Sequence, residues 1–211
     1  KRIVLLGFCI YNMVCAESQT WRRPLAAGIG ACAYSTKQVD ALSIINNPAA
    51  LAELNTMKAA IYMERRILMK ELSAYSFAAG LPTSKGHFGI AGYYHGDIAY
   101  TESKIGLLYA RKLGSRINIA GQFNYYGNSV AGYGDTKTIG AELGIIWHLT
   151  EKLNAGIHID HPAAIIDHSE RPVKLYSFGC GYETSNKFFT AIEFIKEEDQ
   201  PPAINVSVQY R

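Results

Sequence analysis

The side chains best suited to bind a metal ion cluster in the last third of the sequence. His158, Asp160 and His161 lie within four positions, and Asp167 and His168 follow after a short stretch. Imidazoles and carboxylates are common ligands of divalent cations, which makes this group a candidate metal site. In an extended chain, however, His158 and Asp160 point to one face, and the other three fall in a loop. We therefore interpret them as solvated polar residues and predict neither a metal site nor a cofactor.

Signatures of enzymatic catalysis are missing from the sequence. It has no Gly-x-Ser-x-Gly elbow, no Walker loop for phosphate and no His-Glu-x-x-His zinc motif. Glu142 and His148 would share one face of a strand, but six residues of extended chain separate them by about 20 Å. That distance is too long for direct proton transfer. We predict that the protein is not an enzyme and assign no catalytic residue.

Composition argues for one folded unit without affinity for nucleic acid. The formal net charge is +3 over 211 residues, and the basic residues are interspersed with acidic ones. A nucleic-acid site needs a basic patch or stripe that neutralises phosphates. The length suits a single domain rather than two. We predict one domain and no nucleic-acid partner.

Alternating polarity is the dominant pattern from residue 58 onward, and it predicts β-strands. The clearest examples are residues 116–128, 138–150 and 153–160, in which large apolar residues occupy one face and small or polar residues the other. The polar residues of the second face, for which we predict lumen-facing positions, are Asn118, Gln122, Asn124, Glu142, His148 and His158. Weaker alternation brings the total to about ten strands, with further segments at residues 58–65, 71–81, 87–95, 104–113, 173–183, 188–195 and 204–210.

A half-polar face would leave the core of a soluble sandwich poorly filled, whereas it suits the inside of a membrane barrel. In hydrocarbon, every backbone donor and acceptor must be paired within the protein, which for strands requires a closed sheet. We therefore predict an all-β fold: an antiparallel transmembrane β-barrel of about ten strands with a short N-terminal helical segment. Tight turns are expected at residues 113–115 and 185–187, and longer ones at 128–137 and 161–172.

The N-terminal residues do not alternate and are predicted to lie outside the barrel wall. Residues 1–16 have the charged start, apolar run and small-residue cleavage site of a secretory signal peptide, which implies export. Residues 17–57 form the next predicted unit, and residues 58–211 form the barrel. Two cysteines would remain after export, Cys32 and Cys180, either as a disulfide or as two small buried or lipid-facing hydrophobic residues.

A short helix interrupted near Asn47 is expected within residues 39–54. Asn47 can cap the free amides at a helix start, and Pro48 suits the first helical position. The small side chains of Ala49 and Ala50 permit close packing against a wall. These properties suit a helix that packs closely on an inner wall, and they also suit an ordinary helix start.

Three features of the sequence occur together in a recognisable order. Ala27-Gly28-Ile29-Gly30-Ala31 follows the signal peptide, Asn47-Pro48-Ala49-Ala50-Leu51 follows Ala41, and alternating strands make up the rest. In this combination the chain resembles the FadL/TodX superfamily of outer-membrane proteins, especially its PorV/PorQ-like branch from Bacteroidetes. The resemblance implies an N-terminal hatch inside the barrel, and its motif residues would be Asn47, Pro48, Ala49 and Leu51. Family members form larger barrels, which implies either a smaller barrel here or a longer polypeptide of which these residues are a part.

The same resemblance implies a function in the bacterial outer membrane, with lipid as the surrounding partner. The first hypothesis is passage or binding of hydrophobic small molecules. The second is an accessory role in protein secretion or cell-surface attachment, with a secreted protein as partner. A third alternative, from alternation alone, is a soluble periplasmic binder of the lipocalin type, which would turn the apolar faces of its strands inward.

Overall fold

The computed structural model describes residues 30–65, 73–163, 174–198 and 200–210. Ten strands in these residues form one antiparallel sheet, in which every strand pairs with the next along the sequence. The strands are β1 (Lys58–Arg65), β2 (Ser73–Thr83), β3 (Gly86–Gly96), β4 (Tyr100–Leu113), β5 (Ile117–Val130), β6 (Gly134–His148), β7 (Leu153–Ala163), β8 (Leu175–Glu183), β9 (Phe188–Glu197) and β10 (Ala203–Tyr210). This all-β antiparallel arrangement confirms the predicted fold class. The predicted signal peptide lies outside the described residues.

The two faces of the sheet differ in chemistry. On β5, Phe123 is 74% exposed, whereas its neighbours Gln122 and Asn124 are 4% and 2% exposed. The exposed apolar side chains of the other strands include Ile61, Phe77, Phe88, Leu107, Leu143, Ile157, Phe178, Phe194 and Val206. Large apolar side chains outside and small or polar ones inside match a wall that faces lipid. This orientation is opposite to the one that the lipocalin-type alternative requires.

The long loop predicted over residues 128–137 is wrong. β5 continues to Val130 and β6 begins at Gly134, so that only three residues connect the two strands. Gly132 and Gly134 have φ angles of +81° and +107°, which favour glycine and allow such a tight connection. The turn-forming residues of this stretch therefore end a long hairpin rather than form an open loop. The second predicted long loop, residues 161–172, lies mostly outside the described residues.

Residues 30–57, called the interior segment below, lie on the concave face of the sheet. They contain a 3₁₀ helix at Gly30–Tyr34, the single α-helical turn α1 (Ser43–Asn46) and a second 3₁₀ helix at Pro48–Glu53. The chain is interrupted at Asn47, as expected, because the following proline has no amide hydrogen with which to continue a helix. Both helical pieces are shorter than the predicted span. No helix among the described residues has the length and apolar character needed to cross a membrane.

The sheet curls around the interior segment. The Cys32 thiol donates a hydrogen bond to the side chain of Gln209 on β10. The Lys58 ammonium, at the start of β1, donates to the carbonyl oxygen of Val39 at 2.8 Å. The eight residues from Cys32 to Val39 thus reach from one edge strand to the other, which a flat ten-stranded sheet about 45 Å wide would not allow. β1 and β10 are not paired with each other within the described residues, so closure of the barrel stays a prediction.

The two cysteines of the described residues, Cys32 and Cys180, are not joined to each other by a disulfide. Cys32 is buried in the interior segment, whereas Cys180 is half-buried on β8, at a position that alternates with the buried concave side chains. The structure therefore favours the second sequence-based alternative, two small hydrophobic residues, over a disulfide.

Candidate functional site

Glycines in the wall let the interior segment pack closely against the concave face. The ring of Tyr34 covers Gly179 on β8 and Gly156 on β7, where a β-carbon in place of a glycine hydrogen would crowd the ring. Leu51 packs in the same way over Gly89 on β3, where a β-carbon would lie 3.1 Å from the leucine side chain. The absence of side chains at these positions forms a groove for the segment.

The four residues predicted as a hatch motif lie in the middle of the interior segment and are buried. Asn47 accepts the amide hydrogen of Ala49 at 3.0 Å and so caps the second 3₁₀ helix, in which Pro48 occupies the first position. The Asn47 side-chain amide also donates to the carbonyl oxygen of Ile157 on β7 at 3.2 Å. One side chain therefore both starts the helix and fixes it to the wall. The role of these residues and of Leu51 as a family hatch motif stays a prediction.

Glu53, at the end of the second 3₁₀ helix, anchors the interior segment to three strands. Its carboxylate accepts hydrogen bonds from Asn118 on β5 at 2.7 Å and from Lys112 on β4 at 2.9 Å. His148 Nε2 on β6 lies 3.1 Å from the same carboxylate. Burial raises the pKa of Glu53, but its bonds to His148, Asn118 and Lys112 outweigh burial and lower the pKa from 4.5 to about 2. The carboxylate is therefore ionised at neutral pH.

Two wall carboxylates anchor the other half of the interior segment. Glu183 on β8 accepts hydrogen bonds from the Ser35 hydroxyl at 2.7 Å and from the Thr36 backbone amide at 2.6 Å. Glu193 on β9 accepts the Tyr34 hydroxyl at 2.8 Å. Bonds to an ionised acceptor are about twice as strong as those between neutral groups. With Glu53, three carboxylates hold the segment along β4 to β9.

A group of buried polar side chains crosses β4 to β7 next to the interior segment. Its centre is Glu142, which lies 2.7 Å from His158 Nε2, accepts a hydrogen bond from Asn124 at 2.7 Å and pairs with Lys104. Lys104 also lies 3.3 Å from Asp160. Buried charges are tolerated when they are paired and hydrogen-bonded, as here. This central polar network consists of Lys104, Gln122, Asn124, Tyr126, Glu142, His158 and Asp160.

All six residues predicted to face the lumen lie on the concave face, where they divide between two clusters. The cluster at Glu53 contains Asn118 and His148. The central polar network contains the others, Gln122, Asn124, Glu142 and His158. Alternation along one strand predicts the face, but the partners depend on register between strands. Glu142 and His148 accordingly belong to separate clusters, although they share a strand.

Sequence reasoning missed five charged residues of these anchoring contacts and of the central polar network, namely Glu53, Lys104, Lys112, Glu183 and Glu193. Lys104 and Glu183 carry a usable signal, because they alternate in phase with small residues of β4 and β8. Glu53 carries no such signal, since the interior segment has no strand periodicity.

The residues considered as metal ligands are not assembled into a site where the structure describes them. His158 is bonded to Glu142, and Asp160 accepts the Tyr126 hydroxyl at 2.9 Å. The described residues contain no group of three or more His, Cys, Asp or Glu side chains that could hold a metal ion. The remaining candidates, His161, Asp167 and His168, have no described side chain.

Comparison with known proteins gives one informative likeness. No protein-family model and no curated protein matches the sequence. The solved structure of the CymD monoaromatic hydrocarbon channel is similar, with a TM-score of 0.53 and 12% identity over 89% of this chain and 75% of that one. The two proteins share a fold. At this identity the likeness concerns the fold alone; it supports the FadL-type fold implied by the sequence and gives no support to the PorV/PorQ-like branch.

Proposed function

We propose that this chain is an outer-membrane barrel protein through which hydrophobic small molecules pass or in which they bind. The observation that carries the proposal is the outer face of the sheet, where every strand exposes large apolar side chains. Such a wall is stable with lipid around it and unstable in water. The fold shared with the CymD channel supports the same function at a coarse level.

Aromatic side chains lie near the two ends of the outer face, at the levels where the two membrane–water interfaces are expected. At one end the rings of Phe88 and Tyr109 are 5.2 Å apart, and at the other those of Tyr75 and Tyr94 are 6.4 Å apart, measured between centroids. The connections at the Phe88 end have two to four residues. Short turns face the periplasm in bacterial barrels, so we expect the interior segment, which lies near this end, on the periplasmic side.

The interior segment and the central polar network both lie in the path of a molecule that follows the barrel axis. Ala49, Leu51 and Leu54 are fully buried against the wall. Glu142 lies on β6, two residues before Gly144, and Gly144 contacts Asn47 of the interior segment. The central polar network therefore borders the interior segment directly. Passage along the axis therefore requires the segment to move.

Deletion of residues 30–54 tests this proposal. We expect uptake of ¹⁴C-labelled toluene by cells, and conductance in planar bilayers, to rise several-fold because the obstruction is removed. Alanine at both Asn55 and Thr56 is the matched control, since these residues precede β1 but are exposed. Assembly of each variant is checked by the shift between unheated and boiled samples on a gel. An assembled deletion variant with unchanged uptake and conductance would contradict the proposal.

A second candidate, an accessory role in secretion or surface attachment, is favoured by apolar side chains at two neighbouring turns. Ile98 between β3 and β4 is 100% exposed, and Tyr133 between β5 and β6 is 92% exposed. The Ala131 amide donates to the Ala99 carbonyl at 2.9 Å and joins the two turns. Exposed apolar groups at a fixed spacing suit a protein partner.

A double variant, Ile98→Ser with Tyr133→Ser, tests this second candidate. It should no longer co-purify with a stoichiometric protein partner that the wild-type protein captures. If the wild-type protein captures no such partner, this role is excluded.

A further inference from the structure

The buried oxygens on the concave face that have no hydrogen-bond partner among the residues that the structure describes include Ser76 Oγ on β2, Tyr93 Oη on β3 and Gln122 Oε1 on β5. Their side chains are at most 9% exposed. Most buried polar groups in native proteins are paired, so such atoms call for an explanation. All three can accept a hydrogen bond; the Ser76 and Tyr93 hydroxyls can also donate one, whereas the Gln122 oxygen only accepts.

The three oxygens belong to one region of the wall. Ser76 and Tyr93 are directly opposite each other in the β2–β3 ladder, and Tyr93 is opposite Lys104 in the β3–β4 ladder. Gln122 donates through its other side-chain atom to Glu142 at 3.2 Å. The unpaired acceptors therefore border the central polar network on the β2–β3 side. We call Ser76, Tyr93 and Gln122 the acceptor patch.

Charges near the acceptor patch disfavour an anion. Among the described residues, three carboxylates lie on this part of the concave face, namely Glu102, Glu142 and Asp160, together with the cation Lys104 and the histidines His95 and His158. With histidine counted as neutral, these described residues carry three negative charges against one positive charge. An added carboxylate would be repelled at low dielectric, whereas a hydrogen-bond donor would be attracted.

Small apolar side chains adjoin the acceptor patch. Ala74, Ala78 and Ala91 lie on the same face of β2 and β3 and are at most 5% exposed. An apolar wall with a few convergent polar atoms is the usual composition of a site for a small molecule. A pure hydrocarbon would leave the acceptors unpaired, whereas an amphipathic molecule could match both surfaces.

We propose that the acceptor patch selects small amphipathic molecules whose head is neutral or cationic and donates hydrogen bonds, such as aromatic alcohols and amines. Pure hydrocarbons and carboxylates of the same size are disfavoured. The inference rests on the proposed function and narrows its substrate class. The head donates to Ser76, Tyr93 or Gln122, and the apolar part lies against the alanines of β2 and β3.

Four labelled compounds with one ring and one attached carbon test the selection: toluene, benzyl alcohol, benzylamine and benzoate. Uptake by cells that carry the protein is measured relative to cells without it. We expect benzyl alcohol and benzylamine to exceed toluene at least threefold, the effect of about one net hydrogen bond, and benzoate to be the slowest. Equal relative uptake of toluene and benzyl alcohol, or faster uptake of benzoate, would overturn the inference and leave the proposed function intact. If cells with the protein take up none of the four compounds faster than cells without it, both this inference and the proposed function are overturned.

Variants of the acceptor patch test whether its hydroxyl groups cause the preference for benzyl alcohol over toluene. Tyr93→Phe and Ser76→Ala should each lower benzyl alcohol uptake about threefold and leave toluene uptake unchanged, because each removes one acceptor and little volume. Tyr94→Phe and Ser129→Ala are the matched controls, since these side chains are exposed. Equal losses for both compounds in assembled Tyr93→Phe protein would indicate a structural role and overturn the inference.

Discussion

Glu53 binds its proton less tightly in the folded protein than in the unfolded chain, and this difference links stability to pH. Its pKa is lowered from 4.5 to about 2, so the ionised carboxylate stabilises the fold fully above about pH 4.5. As the pH falls from 4.5 towards 2, the unfolded chain takes up the proton first, and the stabilisation is progressively lost. One pKa unit corresponds to about 1.4 kcal/mol, which sets a ceiling of about 3 kcal/mol for this group.

Glu53→Gln should therefore lower the free energy of unfolding at pH 7 by up to about 3 kcal/mol and weaken its dependence on pH between 4.5 and 2. Denaturant titrations in detergent at several pH values measure both effects. Glu151→Gln is the control, because Glu151 is exposed in the connection between β6 and β7. Parallel loss of stability in wild type and Glu53→Gln over this pH range would show that Glu53 is not an ionic anchor.

Gly179 is the wall glycine at which an added methyl group would have the largest effect on the interior segment. A β-carbon there would overlap the ring of Tyr34, which is fully buried. We expect Gly179→Ala to cost about 1–3 kcal/mol, as overpacking of a close contact does. Gly121→Ala is the control, because a β-carbon at that position would have no neighbour within 4 Å. Unfolding midpoints measure the cost, which should be smaller when Gly179→Ala is introduced into a Tyr34→Ala background, where no ring remains to be overlapped.

At the scale of strands, alternating polarity was a better guide to the fold than turn-forming residues were. Ten strands follow from a period of two, because a wall between lipid and a polar interior imposes opposite chemistry on successive residues. The loop over residues 128–137 was mispredicted because Gly132 and Gly134 serve equally well in an open loop and in a tight hairpin. The pairing of Glu53 with His148 depends on how the interior segment crosses the strands, which no local pattern records.

The interior segment is the element whose movement the proposed function requires, and a reversible tether can test this. Cys32 already contacts Gln209 on β10, so Gln209→Cys places a second thiol nearby. Cys9, Cys15 and Cys180 are changed to alanine to leave this pair alone. A short, reducible cross-linker should then lower toluene uptake at least threefold, and reductant should restore it. The control is the same treatment of protein that contains Cys32 alone. If toluene uptake is unchanged by the cross-link, passage does not require this end of the interior segment to move.

For the whole molecule, the decisive quantity is the number of backbone groups left unpaired at the two edges of the sheet. Among the described residues β1 and β10 are the edge strands and have eight residues each, so each edge presents about four donors and four acceptors that no described strand pairs. Each unpaired group costs several kcal/mol in hydrocarbon, which would exceed the stability of an ordinary domain. Because the strand number is even, β1 and β10 run antiparallel and can complete the same hydrogen-bonding pattern.

We therefore expect β1 and β10 to pair in the membrane and close the sheet within one chain. Val39 and Cys32, seven residues apart, contact the two edge strands, so the sheet already curls far enough to turn its edges towards each other. Unheated protein should migrate faster than boiled protein on a detergent gel, as a compact single chain, because a closed barrel resists unfolding until heated. Identical migration before and after boiling would contradict closure. A heat-sensitive species with the mass of two chains would show instead that the edges of one sheet pair with those of another.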